Sequence, residues 1–304
     1  MLREAITTAT ATLADAGIDS ARTDAELLAA YAAGSTRGRL ALIDTVDAAV
    51  LDRFTDAVWR RAQRIPLQHI TGTAPFGPVE LKVGPGVFVP RPETESLLEW
   101  ALAQNLPPEP VIVDLCTGSG ALAVALASER PDATVIAVDD DPRALDYARR
   151  NISSTQVRLV HADVTEPALL PELVGSVDLV VANPPYIPAG TELEPEVAQH
   201  DPPHALFGGA DGMAIIRPIA RRVAAWLRPG GLLAVEHDDT TAAATVDTVI
   251  ATGSFEEITA RRDLNGRPRF VTARRVTARR VTARRVTARR VTARRVTAHR
   301  SALR

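Results

Sequence analysis

The stretch Val177-Asp178-Leu179-Val180-Val181-Ala182-Asn183-Pro184-Pro185-Tyr186 decides the fold. An apolar run interrupted only by Asp178 has the length and composition of a strand buried on both faces. It stops at two prolines, which fix φ and remove two N–H donors. Open α/β sheets bind their ligands outside the carboxyl ends of their strands. The Asn183 and Pro184 carbonyls are then free acceptors. Together with the Asn183 side-chain carbonyl and the Tyr186 ring, they make a cradle for a planar –NH2 group. The same four residues also read as a plain strand-terminating turn, because Asn-Pro is a common turn opener.

Around this stretch, strands and helices alternate. Residues 111–114, 134–139, 157–162 and 232–236 read as strands; 121–130, 142–151, 213–227 and 240–251 read as helices. This order predicts a parallel sheet covered on both faces, hence an α/β fold. Residues 255–260 and 267–273 are close enough to form an antiparallel pair. Upstream, apolar residues recur at helical spacing over 1–72, with Asp19-Ser20 as candidate caps and Gly34 as a stop. These residues read as a small helical domain that serves packing or partner recognition; the sequence does not separate the two. In the linker 73–92, Val79, Leu81 and Val83 alternate with polar residues, Gly84-Pro85-Gly86 turns the chain, and Val87-Phe88-Val89 follows, a hairpin signature. Glu93 or Thr94 is placed to cap the next helix.

Composition limits the function classes. The 304 residues are 46% hydrophobic, ordinary for a globular protein. No apolar run approaches the roughly 18 residues of a membrane span, and the first residues lack a signal-peptide apolar region, so a cytoplasmic protein is expected. Cys116 is the only cysteine, with no His paired to it and no metal-ligand spacing anywhere, so it reads as a small loop residue and no metal is expected. The net charge of −2 conceals an asymmetry: residues 271–304 hold twelve Arg and no acid, leaving −14 on residues 1–270. Five copies of Val-Thr-Ala-Arg-Arg run from Val271 to Arg295, followed by Val-Thr-Ala-His-Arg. A five-residue period keeps one face apolar in neither a helix nor a strand, so 274–304 is expected to be disordered, with the first copy finishing the last strand. The tail reads as a repeat expansion, with an RNA-binding or docking arm as the rival.

The chemistry concentrates where the first core strand meets its helix. Asp114-Leu115-Cys116-Thr117-Gly118-Ser119-Gly120 is a glycine-rich turn that lets backbone approach a ligand at a helix N-terminus. A nucleotide dehydrogenase uses a related turn, Gly-x-Gly-x-x-Gly, and Ala123 fits its looser form. Asp114, ahead of the glycines, suits S-adenosylmethionine better, since a carboxylate there can reach that cofactor's cationic amino-acid end. Asp139 closes the second strand, where a carboxylate accepts ribose hydroxyls. Asp140 and Asp141 read as solvated or helix-capping. Asp163 ends the third strand, within reach of an adenine amino group, or forms a surface turn.

These pieces together resemble the Rossmann-like methyltransferases that modify exocyclic or amide nitrogens. More narrowly, the chain resembles the release-factor glutamine N5-methyltransferase family of the HemK/PrmC type. The matching segments are 66–72 (Pro66 to Gly72), 88–95 (Phe88 to Glu95), the glycine loop, Asn183–Tyr186, Ala205-Leu206, and Gly208 to Met213. The resemblance covers about residues 1–273. It implies a seven-stranded, mostly parallel sheet with the last strand antiparallel, over residues 93–273, behind the helical domain and hairpin linker. It implies S-adenosylmethionine held by Asp114, Thr117, Gly118, Ser119, Gly120, Ala121, Asp139, Asp163, Val164 and Asn183. Catalysis would fall to Asn183, Pro184 and Tyr186, with Pro185, Arg91 and Glu93 completing the substrate site. The implied substrate is the Gln of a Gly-Gly-Gln loop on a peptide-chain release factor, met by a monomer. Three departures stand out. Residues 232–239 end Glu236-His237-Asp238-Asp239 without the Gly and following Gln expected there, Val164 stands where relatives can carry a Trp next to the adenine, and the repeat tail has no counterpart. The competing readings are a nucleic-acid adenine or guanine N-methyltransferase with the same Asn-Pro-Pro-Tyr box, and a non-enzymatic RNA-binding protein acting through its Arg tail.

Overall fold

The computed structural model describes residues 2–43, 45–152 and 156–277. The expectation of disorder for the repeat tail falls, from residue 278 onward, outside the described residues.

The chain begins with helices α1 (Leu2–Asp15), α2 (Ala21–Ala32), α3 (Ala48–Ala62) and α4 (Leu67–Thr71). In α1 the buried residues Leu2, Ile6, Ala9 and Leu13 recur every three or four positions and so form one stripe. They pack with Leu28, Phe54, Val58 and Ile70 into a core of their own. Ser20 precedes α2 but does not cap it; its hydroxyl donates instead to Asp24. Asp47 does cap α3, accepting from the Val50 N–H at 2.8 Å.

The hairpin lies inside 73–92 but earlier than the sequence suggests. Strands β1 (Thr73–Phe76) and β2 (Val79–Lys82) pair across Gly77-Pro78, and 87–89 form no strand. Gly77, at φ +50°, supplies the left-handed residue that so tight a turn needs. Val87 and Val89 are buried as loop residues, so their apolar signal reflected burial and not pairing. Helix α5 (Pro92–Leu102) starts with Pro92 in its first turn, and neither Glu93 nor Thr94 caps it.

The remaining elements are β3 (Val111–Leu115), α6 (Ala121–Glu129), β4 (Thr134–Asp139), α7 (Pro142–Asn151), β5 (Val157–His161), β6 (Val177–Ala182), α8 (Pro195–His200), α9 (Ile216–Trp226), β7 (Leu227–Glu236), α10 (Ala242–Ala251), β8 (Phe255–Arg262) and β9 (Pro268–Arg275). The seven-stranded sheet runs β5-β4-β3-β6-β7-β9-β8, all neighbours parallel until β9, which is antiparallel to both β7 and β8. Strand order reverses between β3 and β6, so the cleft at their carboxyl ends is where such a sheet takes its ligand. One face of the sheet packs on α9 and α10, and the other on the hairpin, α5, α6 and α7. Asp178, the polar interruption in β6, is buried. It accepts from the Val111 N–H at 2.8 Å and pairs with Arg228, and so pins β3 to β6. The first Val-Thr-Ala-Arg-Arg copy does finish β9, and Val276 beyond it is still buried, its N–H bonded to the Ser254 carbonyl. Among the described residues no helix is long and apolar enough to cross a membrane.

Arg61 joins the helical region to the sheet region. Its side chain is only 6% exposed and meets Asp24 of α2 and Glu196 of α8, each at 2.7 Å. Removing one partner of a buried ion pair leaves uncompensated charge, which costs about 3–5 kcal/mol. Arg61→Met keeps the volume but strands Asp24, so we expect a loss of about 3 kcal/mol, read by denaturant unfolding.

Candidate active site

A cleft of about 690 Å³ opens at the carboxyl ends of β3, β4 and β6. The residues singled out in the sequence converge on it. Asp114, Thr117, Gly118, Ser119, Ala121, Asp139, Asp163, Val164, Arg91, Glu93 and the whole of Asn183–Tyr186 line its wall. Gly120 is not among its lining residues: at φ +87° it caps α6, a left-handed conformation that would strain any residue with a Cβ.

The glycine loop is held by carboxylates at the carboxyl ends of β3 and β4. Asp114 Oδ2 accepts from the Thr117 hydroxyl at 2.6 Å and the Ala123 N–H at 3.1 Å. Asp139 accepts from the Gly118 N–H at 2.8 Å and the Asp141 N–H at 3.0 Å. Asp141 in turn caps α7 through the Arg143 N–H. Burial pushes the Asp114 carboxyl up to about 7 despite these donors, and raises Asp139 as well. Asp163 folds its carboxylate back on Thr165, a turn-forming contact, while still facing the cleft. Cys116 takes a left-handed φ of +58°, and burial among the acids drives its thiol pKa well up, which makes it a poor nucleophile.

The Asn-Pro-Pro-Tyr corner follows directly from the end of β6. Asn183 Nδ2 donates to the Thr94 hydroxyl of α5 at 3.1 Å, which leaves Oδ1 to a ligand. Among the described residues no backbone N–H donates to the Pro184 carbonyl. Tyr186 donates to Glu236 Oε1 at 2.8 Å. Burial and the Glu236 carboxylate both raise the phenol pKa, so it stays protonated. Gly208 and Gly212 explain the segment 208–213: a Cβ on Gly208 would sit 2.6 Å from the Pro185 carbonyl oxygen, and one on Gly212 2.3 Å from that of Tyr186. These glycines let a neighbouring backbone buttress the corner.

Residues 188–207 cross the cleft mouth and are tied on three sides. Glu196 meets Arg61, Asp201 meets Arg91, and His204 Nε2 lies 3.0 Å from Asp141. Arg91, expected at the substrate, spends its guanidinium on Asp201 and stacks on Phe88.

A family model described as PrmC N-terminal domain matches residues 4–72, and one described as methyltransferase small domain matches residues 82–200. The release factor glutamine methyltransferase of Mycolicibacterium smegmatis is 65% identical over 90% of this chain and 98% of its own. That of Mycobacterium tuberculosis is 62% identical over 90% of this chain and 91% of its own. The chain belongs to the release factor glutamine methyltransferase family. A 4-amino-L-phenylalanine/4-methylamino-L-phenylalanine methyltransferase from Streptomyces pristinaespiralis is also similar, 41% identical over 87% of this chain and 92% of its own. A solved methyltransferase from Pyrococcus furiosus shares the sheet, with a TM-score of 0.51 at 19% identity over 71% of this chain and 98% of that one.

Against the family pattern, three site residues went unread in the sequence. Thr94 looked like a cap, Glu236 like a mere departure, and Arg269 gave no signal; all three line the cleft. Each acts across 50 or more residues of chain on Asn183 or Tyr186, which local patterns do not reveal.

The buried Asp114 makes stability depend on pH. Its carboxyl holds a proton to about pH 7 in the folded chain but releases it near 3.8 when exposed, so stability is lost as pH rises from about 4 to about 7. Asp114→Asn keeps an oxygen for Thr117 and Ala123 and removes the charge. The variant should melt several degrees above the parent at pH 8 and close to it at pH 4, measured by calorimetry.

Proposed function

We propose that this chain methylates the side-chain amide nitrogen of the glutamine in the Gly-Gly-Gln motif of peptide-chain release factors, using S-adenosylmethionine. One observation carries the reading: Thr94 takes the Asn183 Nδ2–H, which leaves the Asn183 side-chain oxygen free in a cleft wall shared with Pro184, whose carbonyl accepts from no backbone N–H among the described residues.

The cleft suits the cofactor. A Cβ on Gly118 would meet nothing within 4 Å and would project into open space, where a ligand can lie close to backbone. Asp139 and Asp163 offer acceptors for ribose and adenine, and the glycine loop with Thr117, Ser119 and Ala121 offers the floor under an amino-acid end. Asp114, whose Oδ2 already serves the loop, would act on that end from beneath it. When bound, S-adenosylmethionine supplies an electrophilic methyl carbon on a sulfonium.

An amide nitrogen is a poor nucleophile because its lone pair is delocalised, so positioning has to contribute much of the rate. Asn183 Oδ1 accepts one N–H of the substrate amide and the Pro184 carbonyl the other. Both acceptors favour the positive charge that grows on nitrogen. Tyr186 packs on the amide plane. The N-methylated amide is strongly acidic until it passes its proton to water, so this chain needs no strong base. A glutamate in the same place brings no N–H donors and leaves two buried acceptors unpaired, which is how polar sites discriminate strongly. The reading places the enzyme with its release-factor partner in the cytoplasm, as a monomer. Arg91, engaged with Asp201, would shape the wall beside Glu93.

Mass spectrometry of release factor incubated with the chain and S-adenosylmethionine should find one added methyl on the Gly-Gly-Gln glutamine. No methyl there, with transfer instead to 4-amino-L-phenylalanine or to nucleic acid, would overturn the reading. Asn183→Ala should lose roughly 100-fold in kcat while cofactor affinity holds, since one transition-state hydrogen bond is worth about that much. Asp139→Ala should weaken cofactor binding by calorimetry and change kcat at saturating cofactor far less.

A further inference from the structure

The proposed chemistry needs the oxygen of Asn183, and not its –NH2, to face the substrate. A carboxamide is nearly symmetric in shape, so its orientation is set by its partners' donors and acceptors. Its partner here is Thr94, which is 3% exposed and has one hydroxyl proton to give. Behind Thr94 stands Glu236, 1% exposed, at the end of β7. It lies one register step past the Ala182–Val235 pair and therefore beside Asn183. Glu236 Oε1 accepts from Tyr186. Oε2 is buried with no hydrogen-bond partner in place, an open acceptor on the cleft wall that Thr94 also lines, and Thr94 favours the ionised carboxylate.

We propose that Glu236 is a positioning residue that fixes which way round the Asn183 carboxamide sits, acting through Thr94, while it anchors Tyr186 directly. A carboxylate can only accept. Thr94 therefore turns its proton toward Glu236 and offers a lone pair to Asn183 Nδ2, which sends Oδ1 into the cleft. The chain of donors runs in one direction, from Asn183 to Thr94 to Glu236. Putting a proton or an –NH2 on the Oε2 side removes the acceptor that fixes it. Thr94 then accepts from residue 236, its own proton is free to turn toward Asn183, and nothing holds the amide from presenting its –NH2 to the substrate's –NH2.

The charged neighbours agree with this role. Glu236 faces Tyr186 from the β6 corner, Thr94 and Glu93 from α5, and Arg269 from β9, and Arg269 is backed by Asp263 at 3.3 Å. Burial raises the Glu236 carboxyl to about 7, against the opposing pull of Tyr186, Thr94 and Arg269. Protonation below that pH would remove the same acceptor as the amide variant does.

The inference rests on the amide-methylation reading, and the test separates the two. Wild type, Glu236→Gln, Thr94→Val and Thr94→Ser are compared as full-length proteins. Cofactor affinity is followed by calorimetry, folding by melting temperature, and methyl transfer to release factor by kinetics from pH 5.5 to 8.5. Binding of release factors carrying Gly-Gly-Gln or Gly-Gly-Glu is measured with S-adenosylhomocysteine present, a readout independent of turnover. Glu236→Gln should lower kcat at least 30-fold at pH 8 and narrow the preference for Gln over Glu at least tenfold. Thr94→Val, of the same shape without the hydroxyl, should lower kcat about tenfold, and Thr94→Ser should rescue most of that loss. If Glu236→Gln folds, binds cofactor, and keeps both the wild-type Gln preference and the wild-type kcat, the inference is wrong even though methylation stands. If Glu236→Gln does not fold, equal rates and equal Gln preference for Thr94→Val and wild type overturn it. If wild type shows no preference for Gln over Glu in binding and no transfer to release factor, the methylation reading itself fails and takes the inference with it.

Discussion

At the carboxyl ends of β3 and β6 two hydrogen-bonded strands send their chains to opposite sides, and the rest of the molecule is arranged around the gap this leaves. The glycine turn after β3 can come close to a ligand because Asp139, from the next strand over, holds the Gly118 N–H. The corner after β6 is rigid because two prolines stiffen it and two glycines in 208–213 let a second backbone lie against it. Each half of the site is supported by a different element, so the geometry does not rely on any single loop. The burden falls on buried acids. Asp114, Asp139 and Glu236 all have raised pKa values from burial, the usual mark of a functional site in which stability has been given up for chemistry.

The helical region is tied to the site by polar contacts. The helical region keeps its own apolar core, and its link to the sheet region includes the charged Arg61, with Glu196 of the cleft-crossing segment at the far end. A change in the helical region that moved Arg61 would therefore be felt at the cleft mouth. The same segment is held to the linker by Arg91 and to the start of α7 by His204. Its ties to Arg61 and Arg91 are ionic, and ionic contacts respond to salt in ways that apolar packing does not.

Much of this was legible in the sequence. The alternation from 111 onward specified the sheet, and β4, α7 and β6 have the predicted ends because Asp139, Pro142 and the Asn183-Pro184 pair punctuate the chain there. The hairpin was placed too late because Gly84-Pro85-Gly86 is the louder turn signal, while Gly77-Pro78 makes the actual turn. β7 starts five residues before the apolar run, at Leu227, through a ladder position that Arg228, Pro229 and the two following glycines disguise. The residues that line the cleft were readable where they sit in the glycine loop or the proline corner, since those motifs are contiguous. Thr94, Glu236 and Arg269 were not. Each lies in an ordinary helix or strand, and its role comes from side chains that meet only after the sheet has formed.

Arg269 has an effect at some distance from the chemistry. β9 continues into copies of a single pentapeptide, so sliding the strand by five residues would present β7 and β8 with the same Val-Thr-Ala-Arg-Arg side chains again. Over that part of the ladder the two alignments are degenerate, and pairing alone does not choose between them. The choice is made by the non-repeating residues just ahead: Phe270 filling the core, and Arg269 held between Asp263 and the Tyr186–Glu236 pair. A cleft that draws an arginine from an edge hairpin thus also gives a repetitive strand a non-repeating anchor.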